Sequence, residues 1–306
     1  MILIPPDLPS QAEIAILRLP EWSHLMMNVE PEVSSEAAEI SPQASVAASL
    51  DHAATLEHHG QLPEAAAELE RALGRARATP YEIEFMTRIR LGMTLSDFYL
   101  SLDQIQKASA LLADEAAFAQ KIAEIMQATG TPQQKRAATA GYLQVRDRAT
   151  QMALIGQTAP KVSVKTWING RPVTLEDLRG RVVLLEFWAT WCKPCQEMFP
   201  KLKQLQEQAA PRGLEIIAIT RHYLAYGGTE EAMQEELQLM GATVTEHGVS
   251  FPVGVAEDER LQAIYGANGL PTAILIDRQG LVRYAGPGGE DRGFDDIVQK
   301  CLSEPA

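Results

Sequence analysis

The stretch "LLEFWATWCKPCQEM", Leu184 to Met198, decides how this chain folds and what chemistry it can carry. An apolar run of strand type leads directly into two cysteines, Cys192 and Cys195, separated by Lys193 and Pro194. Because proline fits the first turn of a helix, where its missing N–H costs little, a helix is predicted to begin at this spacer. The cysteines therefore lie one helical turn apart, at a junction between a strand and a helix.

Such a pair can be a redox site, half of a metal site, or packing. A structural zinc site commonly takes a second CxxC or a Cys/His pair, but the only other cysteine is Cys301 and the six histidines are scattered. Packing alone does not account for the spacer and the flanking tryptophans. Redox use is favoured, and we expect no metal and no cofactor beyond the cysteine pair. The helix N-terminus and Lys193 should stabilise a thiolate on Cys192, which attacks a substrate disulfide, while Cys195 resolves the mixed disulfide.

Strand-like runs alternate with helical patterns through the rest of the C-terminal half. This alternation predicts an α/β domain with a buried, mostly parallel mixed sheet, and "DRQG" predicts an antiparallel closing hairpin. The predicted strands are 181–188, 214–221, 251–255, 272–277 and 281–286, and the predicted helices are 194–210, 229–241, 258–265 and 292–302.

The N-terminal half differs in character. Residues 43–155 are rich in alanine, with apolar residues at helical spacing, and predict an all-helical domain. Within it, "LEHHGQLPEAAAELERAL" resembles the turn and second helix of a tetratricopeptide repeat (TPR), although an ordinary antiparallel bundle fits the pattern equally well. Residues 1–42 are acidic and interrupted by prolines, and we expect a loosely ordered arm there.

Composition and charge exclude some classes of function. A net charge of −13 over 306 residues argues against a nucleic-acid partner. No apolar run approaches the roughly 20 residues that span a bilayer, so no integral membrane segment is expected. The first residues do not resemble a signal peptide, which leaves a cytoplasmic protein or one whose export sequence is already removed. The third cysteine, Cys301, is expected to be a buried small hydrophobe.

An ordered set of motifs carries a family resemblance. The segments "GQTAPKVSV", "NGRPVTLEDLRGRVVLLEFWATWCKPCQEMFPKLKQL" and "GLPTAILIDRQGLVRYAG" resemble the TlpA/ResA group of thioredoxin-like thiol-disulfide oxidoreductases, over roughly Ile155 to Leu302. The resemblance implies a thioredoxin fold for residues 156–306, preceded by the all-α, TPR-like domain, which it does not cover.

Site residues follow from the resemblance position by position. Cys192 matches the attacking cysteine and Cys195 the resolving one, and Trp191 flanks the active face. Glu186 falls where the superfamily places a buried acid that moves a proton for the resolving thiol. A carboxyl group in an apolar strand should have a raised pKa, which suits this task near neutral pH. The opposing interpretation places Glu186 at a solvated strand end.

A second part of the site is implied near the end of the chain. Pro271 in "GLPT" matches the cis-proline that faces the disulfide in this superfamily, so that Leu270 and Thr272 would flank a substrate-docking edge. The loop from His222 to Gly228, aromatic and rich in glycine, departs from the family pattern. It is interpreted either as a specificity loop or as an ordinary turn.

The resulting functional prediction is a protein thiol-disulfide oxidoreductase that reduces disulfides. Its expected partners are protein disulfides or dithiols and a thiol reductant or membrane electron donor, and the helical domain is expected to select a protein partner. The resemblance implies an extracytoplasmic location for the protein, with the cytoplasm as the alternative. Two other functions stay open, namely a peroxiredoxin-like peroxidase and a helical binding module with the redox domain as scaffold.

Overall fold

The computed structural model describes residues 41–225, 227–288 and 293–305. The predicted acidic arm therefore lies outside the described residues, except for its last two. Ser41 and Pro42 belong to the start of the first helix, where Ser41 Oγ accepts a hydrogen bond from the Ala44 N–H at 3.2 Å. Serine before a proline-led helix is a favourable cap, because it satisfies one of the free N–H groups of the first turn.

The chain forms two compact units that divide between Val145 and Arg146. This division lies before the boundary at 155/156 that the sequence pattern predicts. The difference arises because residues 146–154 bond within the C-terminal unit: Arg148 donates to the Ala285 carbonyl at 3.0 Å, and Gln151 to the Gly266 carbonyl at 2.7 Å.

The described part of the chain before the sheet is helical, as predicted. The helices are α1 (Pro42–His58), α2 (Leu62–Ala78), α3 (Phe85–Ser101), α4 (Ile105–Thr129) and α5 (Pro132–Leu154). The predicted turn between α1 and α2 is present, with Gly60 at φ +76° and Pro63 in the first turn of α2. Assignment of these helices to the TPR class stays a prediction.

A buried ion pair crosses the interior of the helical unit. Arg88 and Glu115 are 5% and 1% exposed, and the Arg88 Nε donates to Glu115 Oε2 at 2.8 Å. Arg77 adds a second guanidinium, 2.9 Å from Glu115 Oε1. Because two guanidiniums saturate the carboxylate, its burial between α3 and α4 is tolerated, whereas loss of one partner would leave a buried charge.

The C-terminal unit is built on a six-stranded sheet of order β1-β4-β3-β2-β5-β6. β2, β3 and β4 pair in parallel, and the other three pairings are antiparallel, including the predicted β5–β6 hairpin. The prediction of a mixed sheet is confirmed, but "mostly parallel" was wrong, and β1 was missed because it is a four-residue edge strand. The strands are β1 (Thr166–Asn169), β2 (Val182–Phe187), β3 (Leu214–Arg221), β4 (Val253–Ala256), β5 (Thr272–Ile276) and β6 (Val282–Pro287).

Helices cover the sheet, which is what a fully buried central strand requires. They are α6 (Lys193–Ala209), followed by the 3-10 turn Ala210–Arg212, then α7 (Glu230–Glu246), α8 (Arg260–Tyr265) and α9 (Phe294–Ser303). Successive β2 side chains enter opposite core clusters: Val183 and Leu185 lie in one, and Leu184 lies in the other with both cysteines of the CxxC. Cys301 is fully buried in the second cluster, as predicted.

Among the described residues, no helix is both long and apolar enough to cross a membrane.

Candidate active site

The cysteine pair sits where the sequence predicts it, between the end of β2 and the start of α6. Cys192 is the N-cap residue of α6, and Pro194 lies in its first turn. Cys192 and Cys195 form a disulfide with their Cα atoms 5.3 Å apart, and the Cys195 N–H points at Cys192 Sγ at 3.3 Å. The disulfide is the oxidised form of the pair, and Cys192 Sγ lies at the N-terminal end of α6, close to its free N–H groups.

This placement favours a thiolate on Cys192 after reduction. The N-terminus of α6 carries a partial positive charge, and its unpaired N–H groups donate toward an anion. Lys193 contributes less, because its side chain is 84% exposed and lies 3.7 Å from the carboxylate of Glu197. A screened surface charge of this kind contributes little to the stability of a thiolate on Cys192, so the helix N-terminus makes the larger contribution.

Trp191 marks the exposed face of the site. Its side chain is 57% exposed, whereas Cys192 beside it is only 4% exposed. The turn that carries Trp191 is braced from α6, since the Gln196 side chain donates to the Thr190 carbonyl at 2.6 Å. Trp191 packs edge-to-face on Tyr223, with ring centroids 5.5 Å apart. An apolar surface thus adjoins Cys192.

Glu186 lies in the interior, not at a solvated strand end. It is fully buried, and neither carboxylate oxygen has a hydrogen-bond partner among the described residues. It follows Leu184 by two residues on β2, so its side chain faces the core cluster that contains Cys192 and Cys195. Burial raises the pKa of Glu186 well above its usual range, because the charged form would lose its hydration.

The backbone of Gly288, the residue directly after β6, packs closely against the same carboxyl group. A Cβ added at Gly288 would lie 3.0 Å from Glu186 Oε1 and 2.8 Å from the Met198 Cε atom. Only the absence of a side chain lets the backbone come this close. Sequence reasoning missed Gly288 because its contact is with residues of distant strands and helices.

The predicted proline segment adopts the expected form. The Leu270–Pro271 peptide bond is cis, and the Pro271 carbonyl accepts a hydrogen bond from the Gly288 N–H at 3.3 Å. Leu270 is half-buried and packs against both core clusters.

Thr272 is buried at the start of β5. It is 3% exposed, and its hydroxyl donates to the Gly269 carbonyl at 2.6 Å. Its side chain is therefore committed to the turn before β5. The position of Leu270 and Thr272 beside a substrate-docking edge stays a prediction.

Two further residues hold loops of this unit and were not found from the sequence. On α5, Asp147 accepts hydrogen bonds from the backbone and side-chain N–H groups of Asn268, at 3.1 and 2.9 Å. On α7, Glu236 accepts bonds from the loop that follows β3. Asp147 lies between two arginines and Glu236 directly follows Glu235, and nothing in their local sequence separates them from solvated neighbours.

The residues that the structure describes contain no group of three or more His, Cys, Asp or Glu side chains placed to hold a metal ion.

A CxxC at a helix N-terminus, on a mixed sheet with a cis-proline before an adjacent strand, defines a thioredoxin-fold dithiol protein. The AhpC/TSA family profile matches residues 155–285. Thiol-disulfide oxidoreductase ResA of Bacillus thuringiensis (strain Al Hakam) is 34% identical over 128 residues, which cover 42% of this chain and 66% of that protein. ResA of Geobacillus thermodenitrificans (strain NG80-2) is 33% identical over 129 residues, covering 42% and 67%.

Through its C-terminal half, the chain belongs to the ResA/TlpA-like family of thiol-disulfide oxidoreductases. The match spans just under two thirds of the Bacillus thuringiensis relative. Among solved structures, a DsbE-type thiol:disulfide interchange protein from Chlorobium tepidum is 27% identical, covers 49% of this chain and 98% of that one, and has a TM-score of 0.39.

Proposed function

We propose that this protein is a thiol-disulfide oxidoreductase that reduces disulfides of protein substrates. The observation that supports it most is the CxxC disulfide at the N-terminus of α6, with the buried Glu186 on the same face of the sheet. The helix end favours the attacking thiolate, and a buried carboxyl group supplies a proton acceptor that does not need solvent.

The proposed reaction has two exchange steps. The Cys192 thiolate attacks one sulfur of a substrate disulfide, which forms a mixed disulfide and releases the other substrate sulfur as a thiolate that takes up a proton. Cys195 then loses its proton to the ionised carboxylate of Glu186 and attacks Cys192 Sγ, which re-forms the Cys192–Cys195 disulfide. The second substrate sulfur leaves as a thiolate and takes up the proton from Glu186, which returns that carboxyl group to its ionised form. Two electrons pass from the protein dithiol to the substrate, and a thiol reductant or membrane electron donor must restore the dithiol.

A Cys195→Ser variant tests the roles of the two cysteines. It should accumulate mixed disulfides through Cys192, since the resolving thiol is absent, and the trapped proteins would identify substrates and compartment. We expect insulin reduction, with dithiothreitol as electron source, to be lost in a Cys192→Ala variant. Retention of cellular function in that variant would instead support the helical binding module, with the redox unit as scaffold.

The direction of electron flow has its own measurement. We expect a potential close to the roughly −270 mV of a dithiol reductant, measured by equilibration of the isolated protein with thiol–disulfide buffers. A value near the roughly −120 mV of strong oxidants would reverse the proposed direction and leave the exchange chemistry intact. An extracytoplasmic location stays a prediction, which trapping also tests.

A peroxiredoxin-like peroxidase is the second candidate, because the AhpC/TSA profile matches this half of the chain. Peroxiredoxins carry a threonine three residues before the reactive cysteine, whereas Thr190 precedes Cys192 by two. Rapid consumption of hydrogen peroxide by the Cys195→Ser variant would favour this candidate over the reductase.

A further inference from the structure

The loop after β3 is folded around one buried carboxylate. Glu236 of α7 is 4% exposed. Its Oε1 accepts hydrogen bonds from the N–H groups of Tyr223 and Leu224 at 2.9 and 3.0 Å, and its Oε2 accepts one from Ala225 at 3.0 Å. His222 Nδ1 lies 3.2 Å from Oε2. Four successive residues of the loop thus bond to a single side chain.

These bonds keep Glu236 ionised in spite of its burial. Burial acts to raise the pKa of Glu236, but the hydrogen bonds from the loop together lower it below its usual value. A carboxylate that accepts several backbone N–H groups fixes their directions, because an unpaired buried N–H or carboxylate oxygen is costly. The conformation of residues 222–225 therefore depends on this side chain.

The loop in turn supports the face of the active site. Tyr223 packs edge-to-face on Trp191, which precedes Cys192. The guanidinium of Arg221, the last residue of β3, lies 4.1 Å from the centre of the Tyr223 ring. The next residue, Leu224, is 68% exposed. Trp191 and Leu224 are two of the few large apolar side chains that are exposed among the described residues.

We propose that Glu236 is a positioning residue for substrate selection: through the 222–225 loop it holds Tyr223 against Trp191, and so shapes an apolar subsite for a side chain next to the substrate cysteine. The preferred substrates would be polypeptide disulfides with an aromatic or aliphatic residue beside the cysteine. This inference rests on the proposed reductase function and deepens it, because it names a chemical class of substrate for that site.

A comparison of three disulfides tests the inference on the full chain. The first is a cystine peptide with phenylalanine beside each cysteine, the second is the same peptide with serine there, and the third is hydroxyethyl disulfide, which is too small to reach the loop. Glu236→Gln keeps the shape of the side chain but places amide hydrogens against N–H groups. Glu235→Gln makes the same charge change at an exposed neighbour on α7 and serves as control.

We expect Glu236→Gln to raise KM for the phenylalanine peptide about tenfold, the change expected when much of one apolar side chain's burial is lost, with kcat little changed. The serine peptide and hydroxyethyl disulfide should change less than twofold, and Glu235→Gln should behave as the wild type. Tyr223→Ala should reproduce the KM effect. Because Glu236 acts through Tyr223, the double variant should be no worse than Tyr223→Ala alone.

Equal slowing of all three disulfides, additive effects of the two substitutions, or an unchanged KM for the phenylalanine peptide would overturn the inference. If Glu236→Gln does not fold, Tyr223→Ala alone decides it, by the ratio of kcat/KM between the phenylalanine and serine peptides. Failure of the proposed function looks different, since the wild-type protein would then reduce none of the three disulfides, and the inference would fall with it.

Discussion

Replacement of Glu186 by glutamine should change how the stability of the C-terminal unit depends on pH. The carboxyl group is fully buried and has no hydrogen-bond partner among the described residues, so its neutral form is the favoured one in the fold. Glutamine retains the shape and polarity of that neutral form but has no proton to lose. The substitution therefore isolates one titration.

The size and sign follow from proton linkage. Burial raises the pKa of Glu186 in the folded state, so between the unfolded and the folded pKa the native state binds more protons than the unfolded state. Stability is then full below the unfolded pKa and falls as pH rises toward the folded pKa. One proton gives a slope of at most about 1.4 kcal/mol per pH unit. The free energy of unfolding of the wild type, minus that of Glu186→Gln, should fall with pH at up to this slope.

Urea unfolding of the oxidised proteins, repeated from acidic to neutral pH, measures this difference. Tryptophan fluorescence is a suitable probe, because Trp167, Trp188 and Trp191 all lie in the C-terminal unit. Titrations shared by both proteins cancel in the difference. Glu207→Gln, which changes an exposed residue of α6, should leave the wild-type pH dependence unaltered.

If the free energies of unfolding of the wild type and Glu186→Gln change in parallel over the whole pH range, the reasoning is refuted, since Glu186 would then titrate alike in the folded and unfolded states. A difference that rises with pH would refute it as well, because it would mean that the ionised form is the stabilised one.

Three further substitutions follow from single contacts. Glu115→Ala should destabilise the helical unit by about 3–5 kcal/mol, because two guanidiniums lose their buried partner; helical circular dichroism during urea unfolding measures this. Gly288→Ala, whose Cβ would lie 2.8 Å from Met198 Cε, should cost about 1–3 kcal/mol in tryptophan-monitored unfolding, and an unchanged midpoint would contradict the close approach. Asp147→Ala should cost about 1–3 kcal/mol and speed amide exchange at Asn268, whose bonds it removes; unchanged exchange would contradict that role.

Local sequence patterns were sufficient to predict most of the helices and strands, and to identify the cysteine pair as a candidate redox site. Apolar runs and helical spacing predicted the helical first half and five of the six strands, because periodicity is set by neighbouring residues. The CxxC with its proline spacer predicted the strand-to-helix junction, since cap and first-turn preferences are local as well. The cis state of Pro271 came from family resemblance, not from its own sequence.

Tertiary structure decided everything that depends on distant contacts. Glu186 was expected in the core and is there. The side chain of Thr272 is buried as well, and its hydroxyl bonds to the turn before β5, which the local sequence does not indicate. Asp147 gained its role only when α5 packed beside a loop that is distant in sequence, and Glu236 only when α7 folded back on the loop that precedes it. A short segment records which face of an element is apolar, but the partner that meets a polar side chain is fixed only when the whole unit has folded.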